Sequence, residues 1–179
     1  MKNVLKTIPL LALGLLLMPS LARAQFGTPS GTTTVSVTVG PQAGLNITNG
    51  ATGLTLSGSN FTGSTGLTYF VRTTTSGGGG SITLKVTTDF SPTGGPSVGA
   101  PPTSGDALTY TCTVASPGTA CSTAQTASTT ATTNVATFGT NVHTGPSGST
   151  ASVNWTLTND PSYKTGTYNS TVTFTISAS

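Results

Sequence analysis

Hydrophobic and polar residues alternate along much of this chain. The longest alternating segment ends with Val172, Phe174 and Ile176, and threonines stand between them. The same spacing of two recurs in four shorter segments, at Val35, Val37 and Val39, at Leu67, Tyr69 and Val71, at Ile82, Leu84 and Val86, and at Val153, Trp155 and Leu157. Successive side chains of a strand point to opposite faces, and β-branched threonine suits a pleated surface. The pattern therefore predicts half-buried antiparallel strands.

Turn-forming residues separate the alternating segments at intervals typical of an all-β protein, among them Asn49-Gly50, Gly77 to Gly80 and Pro117-Gly118. Strands are predicted at residues 33–40, 44–48, 53–57, 66–74, 81–88, 107–114, 119–123, 133–138, 150–158 and 166–177. No segment after the first two dozen residues has the apolar spacing of a helix, so crossover connections for a parallel sheet are missing. The predicted fold is an immunoglobulin-like or jelly-roll antiparallel β-sandwich of about 8–10 strands.

The first 24 residues have the pattern of a secretory signal peptide. Lys2 and Lys6 precede an apolar run at 8–18, and the segment ends in Ala22-Arg23-Ala24. The apolar run is short for a bilayer, which needs about 20 residues. We expect cleavage between Ala24 and Gln25, and export to the cell surface or beyond, through the periplasm in a two-membrane bacterium. No membrane span is expected in the mature chain.

Charge is scarce, and the leader holds half of the basic residues. The whole chain has six Lys and Arg against three Asp and no Glu, for a net charge of +3. After residue 24 the charges balance, with Arg72, Lys85 and Lys164 against Asp89, Asp106 and Asp160. Without a basic patch, binding to nucleic acid is not expected.

The side chains that carry chemistry are few. His143 is the one histidine and lies in a loop-like setting, which favours a solvated loop residue over a catalytic base. The three aspartates each stand beside turn-forming residues, where an aspartate commonly accepts hydrogen bonds from local backbone. Two cysteines and one histidine do not make a zinc site. We expect no catalysis, no metal and no cofactor.

Cys112 and Cys121 are predicted to form a disulfide. They flank Pro117-Gly118, and a strand, a turn and a returning strand would bring the two sulfurs opposite one another. Two cysteines in an exported protein usually pair.

Two segments with few apolar residues, 91–106 and 122–132, are predicted to be long loops. They leave open a second function, that of a secreted monomeric adhesin or carbohydrate-binding module with its ligand site on these loops. Trp155 and Tyr168 are candidates for a sugar-binding platform, but Trp155 shares its strand face with Val153 and Leu157, which favours the core.

The terminal segments lack the charges that usually protect sheet edges from pairing with other chains. Residues 25–40 contain no charge and end in Val35, Val37 and Val39, and the final strand is uncharged as well. This favours an extended donor segment, 25–40, that precedes a sandwich domain, 41–179, and adds a strand to a neighbouring copy. The alternative is that Val35 to Val39 belong to the first strand of their own sandwich.

The ending Gly166-Thr167-Tyr168-Asn169-Ser170-Thr171-Val172-Thr173-Phe174-Thr175-Ile176 resembles the final strand of secreted bacterial pilin-like sandwiches, of the spore coat protein U and fimbrial subunit type. The resemblance covers 20 to 30 residues at the end of the chain. It implies an immunoglobulin-like fold, export, and polymerisation with copies of itself by donor-strand exchange. The chain ends in Ser177-Ala178-Ser179, without the penultimate aromatic residue often present in those subunits, so assembly without a chaperone and usher also fits. The expected function is a structural subunit of an extracellular fibre, pilus or matrix, with host or surface carbohydrate as a further possible partner.

Overall fold

The strands of this chain form two antiparallel sheets. A computed structural model describes residues 31–179, and within them residues 38–179 form one compact unit. No helix occurs in the described part of the chain. The ten strands are β1 Gln42–Ile47, β2 Thr55–Ser57, β3 Asn60–Arg72, β4 Gly80–Ser91, β5 Thr109–Val114, β6 Thr119–Ala120, β7 Gln125–Thr126, β8 Thr133–Phe138, β9 Ser149–Thr158 and β10 Asn169–Ala178.

The first sheet has the strand order β1, β3, β9, β5, β7, and the second has the order β10, β4, β8, β6. The long strand β3 pairs with β9 along its length, while β1 and β2 share its other edge, β1 opposite residues 67–72 and β2 opposite residues 60–62. The predicted antiparallel β-sandwich is therefore confirmed, and all pairings between its strands are antiparallel.

The inward positions of the alternating strands form one hydrophobic core between the sheets. Its most deeply buried members are Leu67, Tyr69, Ile82, Leu84, Val86, Tyr110, Val135 and Val153. Burial of such side chains is the dominant favourable contribution to folding, at about 25 cal/mol per Å² of apolar surface. Most threonines of the same strands occupy the outward positions, whereas Thr65 of β3 faces inward and is buried.

The polar atoms of the core aromatics have hydrogen-bond partners. The Trp155 Nε1 donates to Thr65 Oγ1 at 2.8 Å, and the Tyr110 hydroxyl donates to Thr133 Oγ1 at 2.7 Å. The Tyr69 hydroxyl donates to the Ala115 carbonyl. Because an unpaired buried donor costs about 1–3 kcal/mol, these contacts let large aromatic rings occupy the core without penalty. The expectation that Trp155 belongs to the core is confirmed, since it is 5% exposed.

Tyr168 lies where the chain enters the last strand. Its hydroxyl donates to the carbonyl oxygen of Lys164, four residues earlier, at 2.6 Å. Its ring packs so closely on Gly95 that a Cβ there would lie 2.3 Å from the ring. Tyr168 therefore joins the turn before β10 to the loop after β4.

Three strand predictions are corrected by the structure. Residues 33–40 carry no strand, because no strand of the described chain pairs with them. β3 begins at Asn60, six residues earlier than predicted. The prediction missed its first half because that half is polar and glycine-rich, but it forms a strand because it pairs with β2 and β9. The segment predicted to be a loop at 122–132 contains the short strand β7 and the buried Ala127, whose N–H donates to the Leu108 carbonyl at 2.9 Å.

Candidate assembly site

The last strand, β10, lies at the end of its sheet. It pairs with β4 on one side, and no strand of residues 31–179 pairs with its other side. A strand in this position presents unpaired N–H and C=O groups, which form a template for another chain. β10 is ten residues long and contains no charged side chain, so neither shortness nor charge blocks such pairing.

The inward row of β10 is less buried than the row beside it. Val172, Phe174 and Ile176 pair directly with Val86, Leu84 and Ile82 of β4, so the two rows face the same core. The three β4 side chains are at most 1% exposed, whereas the three β10 side chains are only half-buried. The core therefore continues to β10 but is incompletely covered there.

β1 forms the edge of the other sheet on the same side of the sandwich, close to β10. Leu45 and Ile47 pair with Tyr69 and Leu67, which are both core residues, so Leu45 and Ile47 also face inward. Leu45 is nevertheless half-buried, and Ile47 is 40% exposed. We name the uncovered inward residues of β1 and β10 the open side, and they are Leu45, Ile47, Val172, Phe174 and Ile176.

The proposed donor valines are the most exposed large hydrophobic side chains described. Val35, Val37 and Val39 are 90%, 85% and 59% exposed, and residues 31–40 have no regular secondary structure. The alternative prediction, that these residues form the first strand of their own sandwich, is wrong. The rest of the proposed donor segment, residues 25–30, lies outside the described residues, as do the proposed leader and the cleavage site between Ala24 and Gln25.

The disulfide between Cys112 and Cys121 is confirmed, with the two Cα atoms 5.5 Å apart. The predicted hairpin around it is not found. Cys112 lies in β5 of the first sheet, while Cys121 directly follows β6 of the second sheet. The bond therefore joins the two sheets, on the side opposite the open side.

Asp89 acts as an anchor for the loop at 91–106. Its carboxylate accepts hydrogen bonds from the backbone N–H groups of Val98 at 2.7 Å and Gly99 at 3.0 Å, and from the Ser97 hydroxyl at 2.7 Å. Partial burial acts to raise the pKa of Asp89, but these hydrogen bonds outweigh it and lower the pKa below its usual value. The expectation that Asp89 bonds backbone is confirmed, with partners that are more distant in sequence than a simple turn provides.

The structure brings Asp106 and Asp160 together, which the sequence analysis missed. Both carboxyls are buried and lie within hydrogen-bonding contact of one another. The contact with Asp160 raises the pKa of Asp106, while hydrogen bonds from Asp106 and Ser162 lower that of Asp160. The Asp106 Oδ2 has no hydrogen-bond partner in the described residues, and a proton on Asp106 that is donated to Asp160 would satisfy both carboxyls. Burial raises the pKa of nearby Tyr163 to about 12.

His143 lies in an exposed loop, as expected, and forms a single backbone bridge with Arg72 at the end of β3. The described residues contain no cluster of three or more His, Cys, Asp or Glu that could hold a metal ion. The two segments predicted as ligand-binding loops meet one another, since a Cβ on Gly99 would lie 3.2 Å from Thr129 Oγ1.

Comparison of the chain with protein-family models, with curated proteins and with solved structures gives no match. Among residues 31–179, no helix has the length and hydrophobicity to cross a membrane.

Proposed function

We propose that this protein is an exported structural subunit of an extracellular fibre, pilus or matrix. In this proposal, residues 25–40 of one copy form a strand along the unpaired edge of β10 in the next copy. The observation that carries the proposal is the open side, where two edge strands present inward-facing apolar residues that residues 31–179 leave only partly covered. Export rests on the signal-peptide pattern of residues 1–24.

The donor segment matches the open side in period and in polarity. Val35, Val37 and Val39 recur at every second residue, as do Val172, Phe174 and Ile176, so a paired strand would place all three valines over the uncovered core. Full burial of an exposed valine contributes about 1.5–3 kcal/mol, and the unpaired backbone groups of β10 gain partners. Neither segment contains a charged side chain, so no repulsion between side chains opposes the contact.

The donor and acceptor are different parts of the same chain. Each copy that accepts a strand still has its own segment to donate, which makes the contact head-to-tail and its repetition open-ended unless a ring closes. An extended segment of 16 residues spans about 50 Å, which is longer than β10, so the valines can reach the open side while the rest serves as a linker. This geometry supports a filament rather than a closed dimer.

A charge on the donor face tests the proposal. We expect Val37→Asp to abolish filaments in negative-stain electron micrographs of protein that is expressed with its own leader and purified. Ser36→Asp is the matched control, because it places the same charge on the neighbouring residue, whose side chain would face away from the acceptor core. Both residues are exposed in the structure, so neither substitution removes a core contact.

We expect filaments from the unmodified chain and from Ser36→Asp, and dispersed folded particles from Val37→Asp and from a chain that lacks residues 25–40. Dispersed particles from the unmodified chain would contradict self-assembly and favour a monomeric binding protein. Filaments from the chain without residues 25–40 would show that another surface joins the subunits.

A further inference from the structure

A groove on the outer face of the first sheet is lined by one aromatic side chain, Phe70, and by the positively charged Arg72. It has a volume of about 710 Å³ and lies between β1 and the loop at 143–146. Phe70, Arg72, Gln42 and His143 line it, and no acidic side chain does. The groove is separate from the open side, since Phe70 points away from the core while its neighbours Tyr69 and Val71 are buried.

Glycines leave the Phe70 ring accessible. Gly44 stands opposite Phe70 on β1, and a Cβ there would lie 3.8 Å from the Phe70 Cβ. On the other side, Gly148 has a φ of +75°, and a Cβ there would lie 3.0 Å from two ring atoms. A side chain at either position would cover or displace the ring. Phe70 is 41% exposed, which makes it a flat apolar platform on a face made mostly of threonine, serine and asparagine.

Arg72 lies two residues further along the same strand face. Its Nε donates to the Gly40 carbonyl at 2.9 Å, which orients the guanidinium. Its two terminal nitrogens have no hydrogen-bond acceptor among residues 31–179, and they form the planar fork that binds a carboxylate through two parallel hydrogen bonds. The backbone of the neighbouring loop is held by hydrogen bonds from Thr73 to Val142 and from Thr144 to Val71, both 3.0 Å.

We propose that this groove binds an acidic polysaccharide through one uronic acid unit. The Arg72 fork binds the sugar carboxylate, the C–H face of the ring stacks on Phe70, and Gln42 and His143 supply hydrogen bonds to hydroxyls. A sugar fits better than an acidic peptide because the flat C–H face of a sugar ring can stack on Phe70 while Gln42 and His143 reach hydroxyls at its edge. The site lies away from the loops 91–106 and 122–132, and it borders Gly40, the last residue of the proposed donor segment.

The test measures binding of oligogalacturonate by isothermal titration calorimetry to the purified protein, which is expressed from the full-length chain with its own leader. The fully methyl-esterified oligomer is the matched ligand, because it keeps the sugar rings and loses the charge. We expect Arg72→Gln to weaken binding of the acid form roughly tenfold or more, since a charge-assisted hydrogen-bond pair is lost. Phe70→Leu keeps an apolar side chain but removes the flat ring, and we expect a loss of several-fold.

Lys85→Gln is the matched control protein, because it removes one positive charge from the other sheet, where Lys85 pairs with Thr173. We expect it to bind as the unmodified protein does. An equal loss in Lys85→Gln, equal binding of the esterified oligomer, tighter binding of an aspartate-rich peptide, or no binding of the acid form would each overturn the proposal. Unfolding temperatures of all variants, measured in the same buffer, show that the loss of binding is not a loss of fold.

Discussion

At one side of the sandwich the sheets end in β6 and β7, strands of two residues each, while at the other side they end in β1 and β10, strands of six and ten residues. The Cys112–Cys121 disulfide joins the sheets beside β6, whereas no covalent bond joins β1 to β10. Next to the disulfide, Tyr110 is buried and Val114 is half-buried, whereas no residue of the open side is fully buried. Short edges and a covalent link close one side of the core, and long unlinked edges leave the other available to a partner strand.

The largest expected effect compares two isoleucines in one register. Ile82 of β4 and Ile176 of β10 are directly paired, and they differ in burial. We expect Ile82→Ala to reduce the free energy of unfolding by about 2–5 kcal/mol, because it leaves an enclosed cavity. Ile176→Ala should cost roughly 1 kcal/mol in the dispersed chain, because a half-buried side chain gains less from burial than a fully buried one. Urea denaturation monitored by Trp155 fluorescence measures both.

Equal losses in the two variants would contradict the comparison, since they would mean that β10 is as well covered as β4. The measurement uses the Val37→Asp background, which is expected to prevent assembly and so to expose β10. If the donor strand covers Ile176, the cost of Ile176→Ala should rise in chains that retain Val37.

Removal of the disulfide tests the closed side. We expect the Cys112→Ala/Cys121→Ala double variant to lose about 2–3 kcal/mol of unfolding free energy. The bond joins two residues that are nine positions apart in sequence, and it restricts the unfolded chain. Urea denaturation provides the measurement, with the reduced unmodified protein as the control. Filaments should still form well below the lowered unfolding temperature. A stable double variant that cannot assemble would mean that the two sides are coupled.

The smallest expected effect concerns the connection that leads from β9 to β10, where Asp160 meets Asp106. The raised pKa of Asp106 contributes stability that is lost as pH rises through that pKa, while the lowered pKa of Asp160 contributes stability that is lost as pH falls below its usual value of 3.8. The contribution of Asp106 to stability should therefore decline as pH rises above 3.8, the usual pKa of an aspartate. Asp106→Asn should remove this decline, because its amide donates to Asp160 without a second charge.

Thermal unfolding from about pH 4 to pH 8 measures the effect. Asp89→Asn is the control for the opposite sign, since the lowered pKa of Asp89 gives stability that is lost towards acid. A loss in Asp106→Asn that is the same at every pH would contradict the shared proton.

Alternation of apolar residues with threonine was sufficient to predict the strands that form the core, and β8 begins and ends at the predicted residues. Period two is a local property, because each side chain faces one side of its own strand whatever it pairs with. The first half of β3 was missed for the complementary reason. Its polar and glycine residues show no period, and its pairing with β2 and β9 depends on segments that are distant in sequence.

The sequence by itself determined the fold class, the disulfide pair and the burial of Trp155. The tertiary structure decided which strands lie at the edges, that Cys112 and Cys121 join two sheets, and that Asp106 meets Asp160 across 54 residues of sequence. The alternation in β4 and β10 is the same, so no local pattern distinguishes Ile82, which has strands on both sides, from Ile176, which has one. Edge position and half-burial arise only from strand order, because coverage of a side chain is supplied by whatever packs beside it.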